Sequence, residues 1–194
     1  MKSKGDVLVA KSVDVVLGYV LVEEESGSFR GAVLLTDHRG IPRDFRYTDP
    51  ISPSRVEKVL YGGALDVYLK EEVILGSLLG AVELRPALWF CRDRELLRSF
   101  RSRVSSPVLV LQESPHAPLD HVGEVLPQGE GSVFLVQASP LAAPLRVELL
   151  KEDGARIQDM ASTLQQITET MDPLEPFSRM RKALQIVGEG QENA

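Results

Sequence analysis

Five arginines crowd one short stretch: Arg92, Arg94, Arg98, Arg101 and Arg103. Arg94, Arg98 and Arg101 are spaced i, i+4, i+7, which puts them on one helical face. Guanidinium forks in such a stripe suit phosphate or an acidic partner, and ligand binding by these three is one expectation. The plain alternative is a solvated outer face neutralised by Asp93 and Glu95. No aromatic residue interleaves with the arginines on that face, which argues against stacking on single-stranded nucleic acid. A second group is His116, Asp120, His121 and Glu124, whose side chains are of types that ligate zinc or iron. Their spacing matches no metal motif, and Pro118 keeps a regular helix from gathering them.

Other chemistries find no support. There is no Gly-x-Ser-x-Gly elbow. Cys91, the one cysteine, sits in the apolar run Leu88-Trp89-Phe90-Cys91, where a thiolate is disfavoured. The glycines form neither a dinucleotide fingerprint nor a phosphate-binding loop. No cofactor is expected.

The elements that must position these residues read as follows. Val13–Val22 is apolar on both alternating faces, the mark of a central strand covered on both sides. A polar turn over residues 23–28 leads to a second strand, Phe29–Thr36. The turn Asp37-His38-Arg39-Gly40 leads to a half-exposed third, Pro42–Thr48. Ser54 and Glu57 match a capping box opening an amphipathic helix to Val82. Gly62-Gly63 and Gly76 predict a kink or a break in it. Ala87–Cys91, a helix over Arg92–Val104 and Pro107–Leu111 read as a parallel strand–helix–strand unit. Residues 112–131 are rich in proline and glycine and read as a long irregular connection. Strands at 133–137 and 146–150 follow, then helices over 155–171 and from Asp172-Pro173 onward, with a disordered tail from Gly188.

The fold expected is therefore α/β: a mixed sheet with an N-terminal antiparallel three-strand meander, a parallel βαβ unit, helices on both faces and a C-terminal helical pair. An α/β core is expected over residues 1–150, with an irregular extension over 112–150; residues 151–194 hold the C-terminal helices and tail. This element order is similar to that of RNase H-like sheets. On that fold, nucleases hold two Mg²⁺ ions with carboxylates, because the metals must clamp the attacking and leaving oxygens. The likeness implies Asp14, Glu57 and Asp93 as catalytic candidates, with Asp153 or Asp159 as a fourth. Each has a plainer role: Asp14 as a strand start, Glu57 as a helix cap, Asp93 as N-terminal charge on the next helix.

In the C-terminal helices Ile157, Met160, Leu164, Ile167 and Met171 are spaced 3, 4, 3, 4, and Phe177 follows. The stripe fits packing on the sheet, and equally an interface, for which methionines are adaptable. The 194 residues carry 43% hydrophobic and 26% charged residues and a net charge of −6. That acidity argues against nucleic acid as a partner, and no apolar run is long enough to cross a membrane. A single thiol suits a reducing, cytoplasmic setting. The leading expectation is a noncatalytic adaptor or assembly subunit that binds a protein or itself. The alternatives are a metal-dependent nuclease or degenerate RNase H-like relative, and a phosphate or nucleotide sensor using the arginine helix.

Overall fold

The computed structural model describes residues 15–129 and 131–192, with side chains to Glu189. Asp14 lies outside the described residues. Eight strands form one sheet in the order β3-β2-β1-β4-β5-β8-β7-β6. They are β1 Leu17–Glu25, β2 Ser28–Thr36, β3 Pro42–Tyr47, β4 Leu88–Cys91, β5 Val108–Gln112, β6 Val125–Gln128, β7 Val133–Val136 and β8 Leu145–Glu148. β1 pairs antiparallel with β2 and parallel with β4, and β4 pairs parallel with β5. The mixed α/β sheet with its leading meander is thus as the alternation of apolar residues predicts.

The strand pleat sorts the core into two layers. Leu17, Tyr19, Leu21, Leu88, Phe90, Leu109 and Leu111 face one side, where they meet α5 (Ile157–Thr168) and α6 (Glu175–Glu192). Val20, Val33, Trp89, Cys91, Val108 and Val110 face the other. That side is covered by α2 (Leu65–Val67), a π-helical segment Tyr68–Leu75, α3 (Gly76–Gly80) and α4 (Leu97–Arg103). α1 (Arg55–Tyr61) leads into this layer but buries none of its own residues. Among the described residues no helix is long and apolar enough to cross a membrane.

Several boundaries differ from the sequence reading, each for a local reason. β1 runs through Glu23-Glu24-Glu25 because Ser26 and Gly27 both take positive φ, 53° and 77°, making a two-residue hairpin that pairs Glu25 with Ser28. α4 starts at Leu97, not Arg92, because an Asp93 carboxylate oxygen accepts the Glu95 N–H at 2.8 Å and holds a turn ahead of the helix. β6 lies inside the stretch read as irregular. It is an edge strand, where Pro127 is tolerated opposite Phe134. The last helix continues to Glu192, past the point where a disordered tail was expected.

Candidate functional site

α4 is fixed by burying Leu97 and Phe100, the latter edge-on to Trp89 with ring centroids 5.3 Å apart. Its opposite face, with the preceding Arg94, lines a groove of about 780 Å³ closed on the far side by Ser132, Glu148 and Lys151. The structure therefore brings Arg94, Arg98 and Arg101 to one concavity. Arg101 is locked: Nε donates to Asp153 Oδ2 at 2.6 Å, Nη2 to Oδ1 at 3.2 Å and Nη1 to the Val104 carbonyl at 3.1 Å. The hydrogen bond that Arg101 donates to Asp153 raises the Arg101 pKa above its ordinary value. Arg94 Nε lies 2.6 Å from Glu148 Oε1. Glu148 is buried, and its Oε2 has no hydrogen bond, with Arg146 3.8 Å away. Arg98 is exposed and makes no hydrogen bond or ion pair among the described residues.

The outer arginines of the cluster serve other contacts. Arg92 forms a fork on Glu113 at 2.8 and 3.3 Å, which holds that carboxyl below its usual range, and lies over the Phe177 ring. Arg103 ties α4 to Glu72 of the π-helical segment at 2.7 Å.

A second surface feature was hidden by the sequence pattern. Val56, Val59 and Leu60 read as part of one inward stripe, yet Val59 is 77% and Leu60 76% exposed. Gly62, at φ 52°, breaks the helix and turns this first segment outward. Tyr61 and Tyr68 flank the break and stack on each other in the open, centroids 4.8 Å apart and 29° between planes. The Gly62-Gly63 pair was the available signal.

The carboxylates do not assemble. Glu57 closes the capping box, Oε2 accepting the Ser54 N–H at 2.7 Å while Ser54 Oγ accepts the Glu57 N–H at 3.2 Å. That bonding holds the Glu57 carboxyl below its usual range. Asp93 holds its own turn. β1 carries no acid over Leu17–Val22, and Val20 stands where it pairs with Cys91 at the end of β4. Asp153 is taken up by Arg101. Among the described residues no three His, Cys, Asp or Glu side chains gather as a metal would require. Among the described residues the donor set does not fit the two-metal arrangement that the RNase H-like order implies.

The loop histidines are likewise apart from any such group. The His116 N–H donates to Ser114 and the His121 N–H to Glu124, so these residues shape the loop backbone, and Asp120 is exposed. Cys91 is buried, and burial first, then the charges of Asp93 and Glu148, push its thiol up to about 12. The C-terminal stripe is core: Met160, Leu164, Ile167 and Phe177 are buried, with Ile157 and Met171 packed against them.

No protein-family profile and no curated protein matches the chain. Solved structures do. Endonuclease V from Bacillus subtilis superposes with a TM-score of 0.54 at 13% identity, over 93% of this chain and 83% of that one. Endonuclease V from Streptomyces avermitilis gives 0.55 at 17%, over 89% and 82%. Ciona intestinalis Endonuclease V, solved with a 24mer DNA containing an inosine followed by a ribo-adenosine, gives 0.46 at 12% identity, over 89% and 87%. Two expectations are corrected by these matches. The noncatalytic protein adaptor gives way, since the fold is one shared with Endonuclease V, and Met160, Leu164, Ile167 and Phe177 of the supposed interface are buried in the core. The argument from net charge against nucleic acid gives way too, because a net charge says nothing of where cations gather. At these identities what the chain shares with Endonuclease V is its fold.

Proposed function

We propose that this chain is a nucleic-acid-binding protein of the RNase H-like class, a degenerate relative of the nucleases that holds a strand without cutting it. The observation that carries the reading is a mismatch: an Endonuclease V-like sheet over nearly the whole chain, whose central strand β1 is apolar where a metal-binding carboxylate is needed. Two surfaces on the α1–α4 side support binding. The arginine groove offers cations to a phosphate backbone, and the open Tyr61–Tyr68 stack offers a flat face to an unpaired base. A reducing compartment suits the buried Cys91 thiol.

The test uses the full chain with end-labelled single- and double-stranded DNA and RNA. Cleavage is followed on gels in Mg²⁺ and in Mn²⁺, and binding by fluorescence anisotropy. Binding without cleavage is expected. Metal-dependent cleavage abolished by Asp14→Asn would replace this reading with an active nuclease completed by a residue outside the described ones. Absence of binding to every probe would overturn it.

A further inference from the structure

The groove beside α4 is built in a way that an outer salt-bridged helix face is not. Its lining gathers three arginines, Arg94, Arg98 and Arg101, beside the carboxylates Glu148 and Glu152. The buried acids lie behind the arginines and fix them. Asp153 takes Arg101 through both its oxygens, and Glu148 Oε1 stands 2.6 Å from Arg94 Nε. The two terminal nitrogens of Arg94 make no hydrogen bond among the described residues, and its side chain is 71% exposed. Arg98, in the first turn of α4, has none of its five N–H groups committed to a partner among the described residues. Ser102 and Ser132 add hydroxyls to the same lining.

Resting on the reading above, we propose that this groove is a phosphoryl-oxyanion site. Arg98 is its principal contact, the outer N–H groups of Arg94 are its second, and Glu148 and Asp153 act as positioning residues. The chemistry favours a phosphate oxygen over a peptide carboxylate for a geometric reason. Two guanidinium groups, one from the turn ahead of α4 and one from α4 itself, present donors to the same groove from two backbone positions, which a tetrahedral anion accepts more fully than a planar carboxylate. The anion can come from a nucleic-acid backbone or from a free phosphate compound, and the two are separable in solution.

The experiment measures two affinities on the intact chain. Anisotropy follows a labelled 20-nucleotide single strand over a salt series, and calorimetry follows inorganic pyrophosphate. The variants are Arg98→Glu, Arg98→Gln and, as a control on the opposite side of the sheet, Lys182→Glu. Because Arg98 has no partner among the described residues, its variants are expected to keep the wild-type circular dichroism; should Arg98→Glu not fold, Arg98→Gln carries the test. Arg98→Glu is expected to weaken strand binding at least tenfold, Arg98→Gln several-fold and Lys182→Glu less than twofold. The slope of log affinity against log salt should fall by about one for the lost phosphate contact. Strand binding that ignores Arg98 overturns the site and leaves the functional reading standing. Pyrophosphate binding that depends on Arg98, without any strand binding, supports the site as one for a free anion and overturns the functional reading. Binding of neither probe overturns both.

Discussion

Arg94 Nε stands 2.6 Å from Glu148 Oε1, and the two ends of this pair live in different media: the arginine side chain is 71% exposed and the glutamate 4%. Glu148 reaches this place because β8 pairs Glu148 with Val110, which in turn pairs with Cys91. A carboxylate in line with a core cysteine needs a cation from outside the sheet. Arg94→Ala leaves it with only Arg146 at 3.8 Å. The expected loss is about 1–3 kcal/mol, the penalty of a buried polar group left unpaired, rather than the few tenths of an exposed pair. Adding Glu148→Gln to Arg94→Ala should recover part of it. Urea denaturation of the four members of the cycle decides; a loss below about 0.5 kcal/mol for Arg94→Ala would mark an ordinary surface pair.

Asp37 sets the acid sensitivity of the β2–β3 turn. Burial pushes its carboxyl up, but the Arg39 fork at 2.9 Å and the N–H groups of Arg39 and Ile41 outweigh burial and bring it below the ordinary 3.8. A group depressed on folding contributes stability that is complete above its unfolded value and is lost as pH falls through its folded value. Asp37→Asn should therefore be less stable than wild type at pH 7, with the gap closing below about pH 4 as the wild-type carboxyl protonates. Thermal unfolding of both proteins across that range is the measurement, and a gap that stays constant would exclude the ionised form as the stabilising one.

Gly18 lies near the start of β1, paired with Trp89 of β4, and the indole ring lies directly over it. A methyl group there would collide with Trp89 Cε3 and Cζ3. Trp89 is itself pinned by Phe100 and is buried, so it has little room to yield. Gly18→Ala is expected to cost about 1–3 kcal/mol by overpacking, despite the better strand propensity of alanine. A stability equal to wild type in chemical denaturation would show that the indole moves.

What was legible in the sequence was whatever the side-chain pattern alone determines. Val20 and Leu21 point to opposite cores, as do Cys91 and Phe90, and two-sided apolar runs of that kind announce central strands and hence the sheet. The Ser54–Glu57 cap was readable because its four atoms lie within one turn. The groove was half readable: Arg94, Arg98 and Arg101 share a face by spacing, but their partners Glu148 and Asp153 come from beyond residue 147, by tertiary pairing no local pattern encodes. Burial of the Ile157–Met171 stripe was undetermined because packing on a sheet and packing on a partner demand the same periodicity. The outward turn of Val59 and Leu60 was missed because the apolar repeat continues across Gly62 while the backbone does not.

Tyr61 and Tyr68 give the functional reading its own separate test. They are stacked and exposed at the break after α1, a helix that buries none of its residues. Truncating either ring should therefore leave the fold intact. Base–aromatic stacking contributes roughly 1–3 kcal/mol per base when probed by alanine substitution. Tyr61→Ala and Tyr68→Ala are thus each expected to weaken single-strand binding by about fivefold or more, with Tyr→Phe close to wild type because the ring face and not the hydroxyl carries the contact. Duplex binding, whose bases are already stacked, should change far less. The comparison is made by anisotropy on matched single- and double-stranded probes at one salt concentration. Equal losses on both would assign the tyrosines to the backbone contact instead, and no loss on either would remove them from the interface and leave the arginine groove as its sole anchor.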